Sequence, residues 1–239
     1  MRKLVVLLAA AGMLGAAVPA MAADLGGGPL PESDAFSWTG GYIGLNGSYT
    51  WGTSKAHYSD PTNGATLNTI AGPLDSDPIG WSGGVTIGAN EQMDSGIVAG
   101  VEGDVDYSYV TAGIVDNLAG YLAHPGGYNN TITSTTDLSG TLRGRAGVAL
   151  GNLLPYLTGG LAVAHVTVDA TDGPVSESAF LYGWTVGGGL EVAYDEHWSA
   201  KGEALYTDLG SHTWFSGKAY QSTSTSTSVT ARAGINYKF

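Results

Sequence analysis

Apolar and polar residues alternate with period two through most of this chain. The clearest run is Val229 to Phe239. Val229, Ala231, Ala233, Ile235, Tyr237 and Phe239 share one parity; Thr230, Arg232, Gly234, Asn236 and Lys238 share the other. Successive side chains of a strand point to opposite faces, so this run is a strand with one apolar and one polar side. It matches the ~9–11 residues that a tilted transmembrane strand needs. An edge strand of a soluble sandwich would alternate in the same way, so the rest of the chain decides.

Eight such segments can be marked. The first spans 38–51, with Ile43, Leu45, Gly47, Tyr49 and Trp51 on the apolar face. The second carries Ile79, Trp81, Val85 and Ile87, and the third runs over 97–109 with Val101, Val105 and Tyr107. The fourth covers 138–150 with Leu142, Ala146 and Val148. The fifth, 156–168, has apolar residues on both parities, and its facing stays open. The sixth shows Tyr182, Trp184, Val186 and Leu190, the seventh Trp198, Ala200, Ala204 and Tyr206, and the eighth is the terminal run. The connections alternate too. Those at 91–96, 151–155 and 195–197 are short; those at 52–78, 110–136, 169–179 and 207–222 are long or medium. This is the asymmetry of an outer-membrane barrel, with short periplasmic turns and longer extracellular loops. The pattern predicts an all-β fold: one eight-stranded antiparallel up-and-down transmembrane β-barrel. Aromatic residues at the segment ends, among them Trp38, Trp51, Trp81, Tyr107, Trp198 and Tyr237, are expected to form interfacial girdles. The alternating Ser222–Ser228 run reads either as a continuation of the last strand, with Thr outward, or as a polar loop.

The N-terminus adds an address. Arg2-Lys3, an apolar run from Leu4 to Ala17 and the small-x-small site Ala20-Met21-Ala22 predict a signal peptide over residues 1–22. Residues 23–37, rich in Gly, Pro and acids, read as a periplasmic leader, and 38–239 as the barrel domain. No other stretch is apolar enough for a transmembrane helix, so membrane insertion must use strands. Nine basic residues stand against 21 acidic ones, which disfavours nucleic acid as a partner. The absence of cysteine excludes cysteine-based metal sites and catalysis. The 38 glycines suit short strands that must bend and coil.

Several blocks carry a resemblance. They are the start Ala23-Asp24-Leu25, Trp38-Thr39-Gly40-Gly41-Tyr42-Ile43-Gly44, Arg143-Gly144-Arg145-Ala146-Gly147, Pro155-Tyr156-Leu157-Thr158-Gly159-Gly160 and the ending Gly234-Ile235-Asn236-Tyr237-Lys238-Phe239. In this order they resemble the small outer-membrane immunogenic proteins, opacity-type porin-family barrels of Gram-negative bacteria. The resemblance implies an abundant surface protein of the outer membrane with no agreed catalytic site. It implies contact with outer-membrane lipid and lipopolysaccharide, and with host or environmental surface ligands. Tyr237 and Phe239 resemble the C-terminal signal that the barrel-assembly machinery reads.

The inward parity carries the charge. Glu102, Asp104 and Asp106 share one face of the third segment, Arg143 and Arg145 one face of the fourth. Glu191, Lys201, Glu203, Arg232 and Lys238 are inward on the last three. Adjacent strands would set the acidic ladder directly against the two arginines, and buried charges must be paired. A salt-bridged polar core is the leading reading of this set, ahead of a conductive path and of metal binding by Asp104 and Asp106. The five histidines, His57, His124, His165, His197 and His212, lie mostly in connections. Ser and Asp neighbours are common there by chance, and no catalytic set stands out. Gly187-Gly188-Gly189 lies in a strand and is no nucleotide loop. Asp75-Ser76-Asp77 and Asp169–Asp172 read as solvated acidic loops with at most weak affinity for calcium. No cofactor is implied. The favoured function is a non-enzymatic surface protein that supports envelope integrity. A narrow porin and a lipid-modifying or proteolytic barrel enzyme are the rivals.

Overall fold

The computed structural model describes residues 36–59, 74–116, 130–170, 175–216 and 221–239. Among the described residues nine strands follow in chain order: β1 Gly40–Ser59, β2 Leu74–Ser76, β3 Ile79–Gln92, β4 Ile97–Asp116, β5 Asn130–Val148, β6 Leu153–Ala170, β7 Val175–Ala193, β8 Trp198–Trp214 and β9 Gln221–Lys238. β1 pairs antiparallel with β3, and each later strand pairs antiparallel with the next. β9 pairs back onto β1 from Ser59↔Gln221 to Tyr42↔Lys238. The sheet therefore closes into an eight-stranded antiparallel barrel without free edges. The three-residue β2 lies outside this ring, against Ser54–Ala56 of β1.

The facing follows the alternation. Leu45, Ile87, Val101, Leu142, Leu157, Leu161 and Ile235 are exposed on the outer wall; Glu102, Arg143, Glu191, Lys201 and Arg232 are buried inside. β6 resolves its ambiguity. Leu157 and Leu161 face out, while Leu154, Tyr156, Thr158, Ala162, Ala164, Val166 and Val168 face in. Both parities are apolar because the far part of the lumen has an apolar wall of its own. There Ala164, Val166, Val168, Leu181, Trp214 and Phe215 pack together.

Three tight turns, at 93–96, 149–152 and 194–197, lie at one end of the barrel. Gly96 and Gly151 adopt φ of 79° and 66° there, a conformation that glycine reaches without steric cost. In the third turn Asp195 Oδ1 accepts from the backbone N–H groups of His197 (2.8 Å) and Trp198 (2.7 Å). These bonds hold its carboxyl below the usual carboxylate range. Trp38 closes the same end. It is buried against Val98, Leu154, Tyr156 and Ala193, and its indole N–H donates to Gly151 O at 3.2 Å. The expected place of Trp38 in an aromatic girdle is thus corrected: its parity is inward, and it caps the lumen. Lys238, expected in the charged lumen, instead donates to Ser37 O and lies over the Phe36 ring at this end.

At the opposite end the strands outrun the segments read from the sequence. β1 continues past Trp51 to Ser59, β4 past Tyr109 to Asp116, and β8 past Tyr206 to Trp214. β5 begins at Asn130, β7 at Val175 and β9 at Gln221. Outside a lipid band nothing sorts apolar from polar faces, so the alternation fades while the backbone ladder continues. The Ser222–Ser228 run belongs to β9, with buried Ser222 on the lumen side and Thr225 exposed outside. Register shifts between Tyr107/Val110, Thr136/Leu138 and Asp208/Ser211 mark where these extensions begin.

Candidate functional site

The site is the interior. Glu102 lies directly opposite Arg143 on the neighbouring strand, but Asp104 faces Thr141 and Asp106 faces Ser139. The arginines therefore do not meet the acidic ladder rung by rung. Arg143 is the hub. Its Nη2 reaches Glu102 Oε1 (2.5 Å), Asp104 Oδ2 (3.1 Å) and Glu203 Oε1 (3.2 Å). Nη1 reaches Glu203 Oε2 (3.1 Å), and Nε donates to Thr141 (2.9 Å). All three nitrogens of the guanidinium are engaged, which meets the condition for burying a charge, that it be paired and hydrogen-bonded.

Arg145 is corrected from the expected pairing. Its near carboxylate is Glu191 on β7, at 2.6 Å, while Glu102 stands 3.7 Å away. It lies over the Tyr156 ring at 4.1 Å, a cation–π contact. Asp106 is likewise paired across the lumen, with Arg232 Nη2 of β9 at 2.5 Å; Arg232 Nη1 stands 3.0 Å from Asp104 Oδ2. Lys201 closes on Glu102 at 2.6 Å. Glu191 also accepts from Ser199 (2.6 Å) and Asn236 (2.7 Å).

Besides Thr141, Ser199 and Asn236, two tyrosines join the network that the sequence reading did not place there. Tyr42 OH donates to Glu102 at 2.7 Å and Tyr156 OH to Glu203 at 3.0 Å. The signal for Tyr42 was present, since it shares the inward parity of the first segment. Tyr156 was hidden by the two-sided apolarity of its own. Gly88 on β3 makes room for the Tyr42 ring, which a Cβ at that position would strike.

Beyond the network the lumen opens into a chamber of about 110 Å³, bordered by the hydroxyls of Ser48, Ser82, Ser108, Ser139, Thr207 and Thr230 and by the apolar side chains of Val110, Ala162, Ala164, Leu205 and Leu209, with Asp106 and Arg232 also lining it. A second cavity of about 110 Å³ lies toward the far end. Val110, Ala112, Val166, Leu181, Leu209 and Trp214 form one wall, Ser54, Ser222, Ser224 and Ser226 the other.

Among the described residues no histidine joins the charged network. His165 faces outward, 2.7 Å from Asp137 Oδ1, with its ring tilted against that of Phe180 at 4.8 Å. His197 stacks on Tyr237, and His212 contacts Trp214. His124 and Asp172 lie outside the described residues. Among the described residues no three His, Cys, Asp or Glu side chains are grouped to hold a metal ion. The aromatic residues gather in two bands on the outer wall. Tyr49 meets Trp81 at 4.5 Å in one band, and Trp198 meets Tyr237 at 5.1 Å in the other. Along β9 the bands are separated by the stretch from Val229 to Tyr237. That is about 26 Å of strand at ~3.3 Å per residue, or about 20 Å of depth at a tilt of ~35–45°, a little less than the ~25 Å apolar band of an outer-membrane barrel.

Comparison with known proteins agrees with this geometry. Residues 7–239 match the family model of the outer membrane protein beta-barrel domain. The chain is 36% identical over 213 residues to the 31 kDa outer-membrane immunogenic protein of Brucella melitensis biotype 1, covering 86% of this chain and 85% of the relative. It is 31% identical over 183 residues to the 22 kDa outer membrane protein of Rhizobium leguminosarum bv. viciae, covering 76% and 69%. Among solved structures, the outer membrane protein OprG from Pseudomonas aeruginosa shares the fold, with a TM-score of 0.54 at 14% identity, over 86% of this chain and 99% of that one. The closed barrel, its lipid-facing wall and these relatives lead to one assignment: the chain belongs to the outer membrane protein beta-barrel domain family and resides in the outer membrane.

Proposed function

We propose that this protein works without catalysis, as a sealed outer-membrane barrel that supports the envelope and presents its extracellular connections to host or environmental surfaces. The observation that carries this reading is the one-sided extension of the strands. β9 continues from Val229 to Gln221, and β1 from Trp51 to Ser59, beyond the outer aromatic band. That carries the strand ends about 20 Å beyond the apolar band, at ~3.3 Å per residue and a tilt of ~35–45°. Such a raised platform serves contact with something outside the cell. The interior supports the same reading, because a network centred on Arg143 fills the lumen at the level of Glu102 and Glu203. In this reading outer-membrane lipid and lipopolysaccharide surround the wall, and Tyr237 and Phe239 engage the barrel-assembly machinery. Residues 1–22 are a removed signal peptide, and 23–37 a periplasmic leader ahead of the barrel domain, 38–239.

Planar-bilayer recording of the refolded protein tests the sealed state. The expected result is no steady conductance above that of the bare bilayer; stepwise openings in the wild type would favour the narrow-porin rival. Mass spectra of lipid A from a deletion strain should match the parent. A species gained or lost would favour a lipid-modifying enzyme.

A further inference from the structure

The cavity at the far end of the lumen is lined by two chemistries. Its hydroxyls include Ser54 of β1, Ser76 of β2 and Ser222, Ser224 and Ser226 of β9. Its apolar side chains come largely from β4, β6, β7 and β8, with Val166, Leu181, Leu209 and Trp214 among them. The division follows from parity. In the alternating Ser-Thr run of β9 the serines face the lumen, while β6 turns Val166 and Val168 inward. Among the described residues no charged side chain lines this cavity.

Two observations mark it as a site. Ser76 and Ser222 are each only 7% exposed, yet neither hydroxyl meets a hydrogen-bond partner among the described residues. Buried polar groups nearly always have one. The other observation is backbone strain at the rim. Phe215 adopts φ of 53°, a conformation that a bulky residue rarely takes. Glu177 Oε2 fixes it there by accepting from the Phe215 N–H at 2.7 Å. This corner turns Phe215 and Trp214 onto the cavity, both buried. The Trp214 indole N–H donates to Ser224 Oγ at 2.9 Å, which sets the ring beside the serine wall. Strained residues of this kind gather at ligand clamps.

We propose that the cavity beneath the Trp214–Phe215 corner binds one small neutral aromatic alcohol, of the phenol class. Its ring lies against Val166, Leu181 and Trp214, and its hydroxyl meets Ser222 and Ser226. An apolar cavity of about 150 Å³ holds benzene, so one of about 110 Å³ holds at most a single ring. Aromatic rings pair favourably with Trp214 and Phe215. An acid or an amine would bury a charge without a partner, so the uncharged lining selects a neutral molecule. The inference is independent of the sealed-barrel reading, because the ligand is held above the Arg143 network and does not pass it.

The test is NMR of the refolded barrel in detergent micelles, following the indole N–H of Trp214, whose peak is assigned by its loss in Trp214→Phe. Para-fluorophenol should shift that peak saturably. Fluorobenzene, which lacks the hydroxyl, should bind about ten-fold more weakly, the worth of about one hydrogen bond. Para-fluorobenzoate should not bind. Ser222→Ala combined with Ser226→Ala should bring the phenol down to the level of fluorobenzene. Ala112→Leu, which fills the cavity, should abolish both responses. No saturable shift with the phenol would mean that water alone fills the cavity, and would overturn the proposal. Equal affinity for phenol and fluorobenzene, or phenol binding unchanged in the serine pair, would overturn it too. A shift that persists in Ala112→Leu would report partition into the micelle and have the same consequence. If Ala112→Leu fails to fold, the serine pair, which loses only two hydroxyls, still decides.

Discussion

At Arg145, what matters is which carboxylate would be stranded by its loss. Truncation to alanine should cost about 3–5 kcal/mol, because it leaves a buried charge without its partner. The geometry names that charge as Glu191, at 2.6 Å, rather than Glu102. A double-mutant cycle in urea unfolding checks this: Glu191→Gln should recover more of the loss than Asp104→Asn. Gly88 makes a steric counterpart. Valine there would strike the Tyr42 ring, and overpacking of this kind costs about 1–3 kcal/mol. The same unfolding assay reads it, and alanine at 42 should relieve part of the strain. These pairings also mark a limit of the sequence. Adjacent strands can be aligned by alternation, and the inward parity of Glu102, Arg143 and Arg232 was legible from it. Partners such as Arg232 with Asp106, or Arg145 with Glu191, meet across the lumen, where side-chain length and strand stagger decide and periodicity is silent.

Within single strands, depth should govern tolerance. Ala233 faces outward between the two aromatic bands of β9, and Thr225 faces outward beyond them. Arginine at 233 should cost about 2–4 kcal/mol and arginine at 225 about 0–1 kcal/mol, following the depth dependence of lipid-facing charges. Refolding into vesicles measures both, and equal costs would mean that the bands do not bound the bilayer. In the turn after β7, the backbone N–H bonds favour the ionised form of Asp195 and lower its value in the folded state. Its contribution to stability is therefore full above the ordinary carboxylate range and fades as pH falls through the folded value. Asp195→Ala should weaken the barrel at neutral pH and flatten that part of its acid profile, as urea midpoints across pH will show. The strand cores were legible because lipid imposes alternation on them. Their extensions were not: from Ser222 to Ser228 both faces are small and polar, and length alone cannot separate ladder from loop. Trp38 misled for a related reason, since an aromatic residue at a strand start can flank lipid or cap a lumen.

As a whole, the molecule is a closed cylinder whose two ends are built differently. At the turn end, Trp38, the tight turns and Phe239 gather. The Phe239 side chain is exposed, and its N–H donates to Gly41 O at 3.0 Å. One backbone bond is a small part of the stability of a closed sheet, so deletion of Phe239 should change the unfolding midpoint of inserted protein little. It should instead lower the amount that reaches the outer membrane and raise periplasmic stress reporters. Wild-type abundance in the deletion strain would sink the assembly reading.

The far end rests on its own apolar cluster, Ala164, Val166, Val168, Leu181, Trp214 and Phe215, separated from the charged network by the serine-lined chamber. That separation acts as insulation. A substitution in the connections above perturbs a local core before it can reach the paired charges below. Sequence drift at the cell surface is thereby uncoupled from the integrity of the wall that spans the lipid. A lineage under pressure to change its exterior can do so repeatedly on an unaltered foundation.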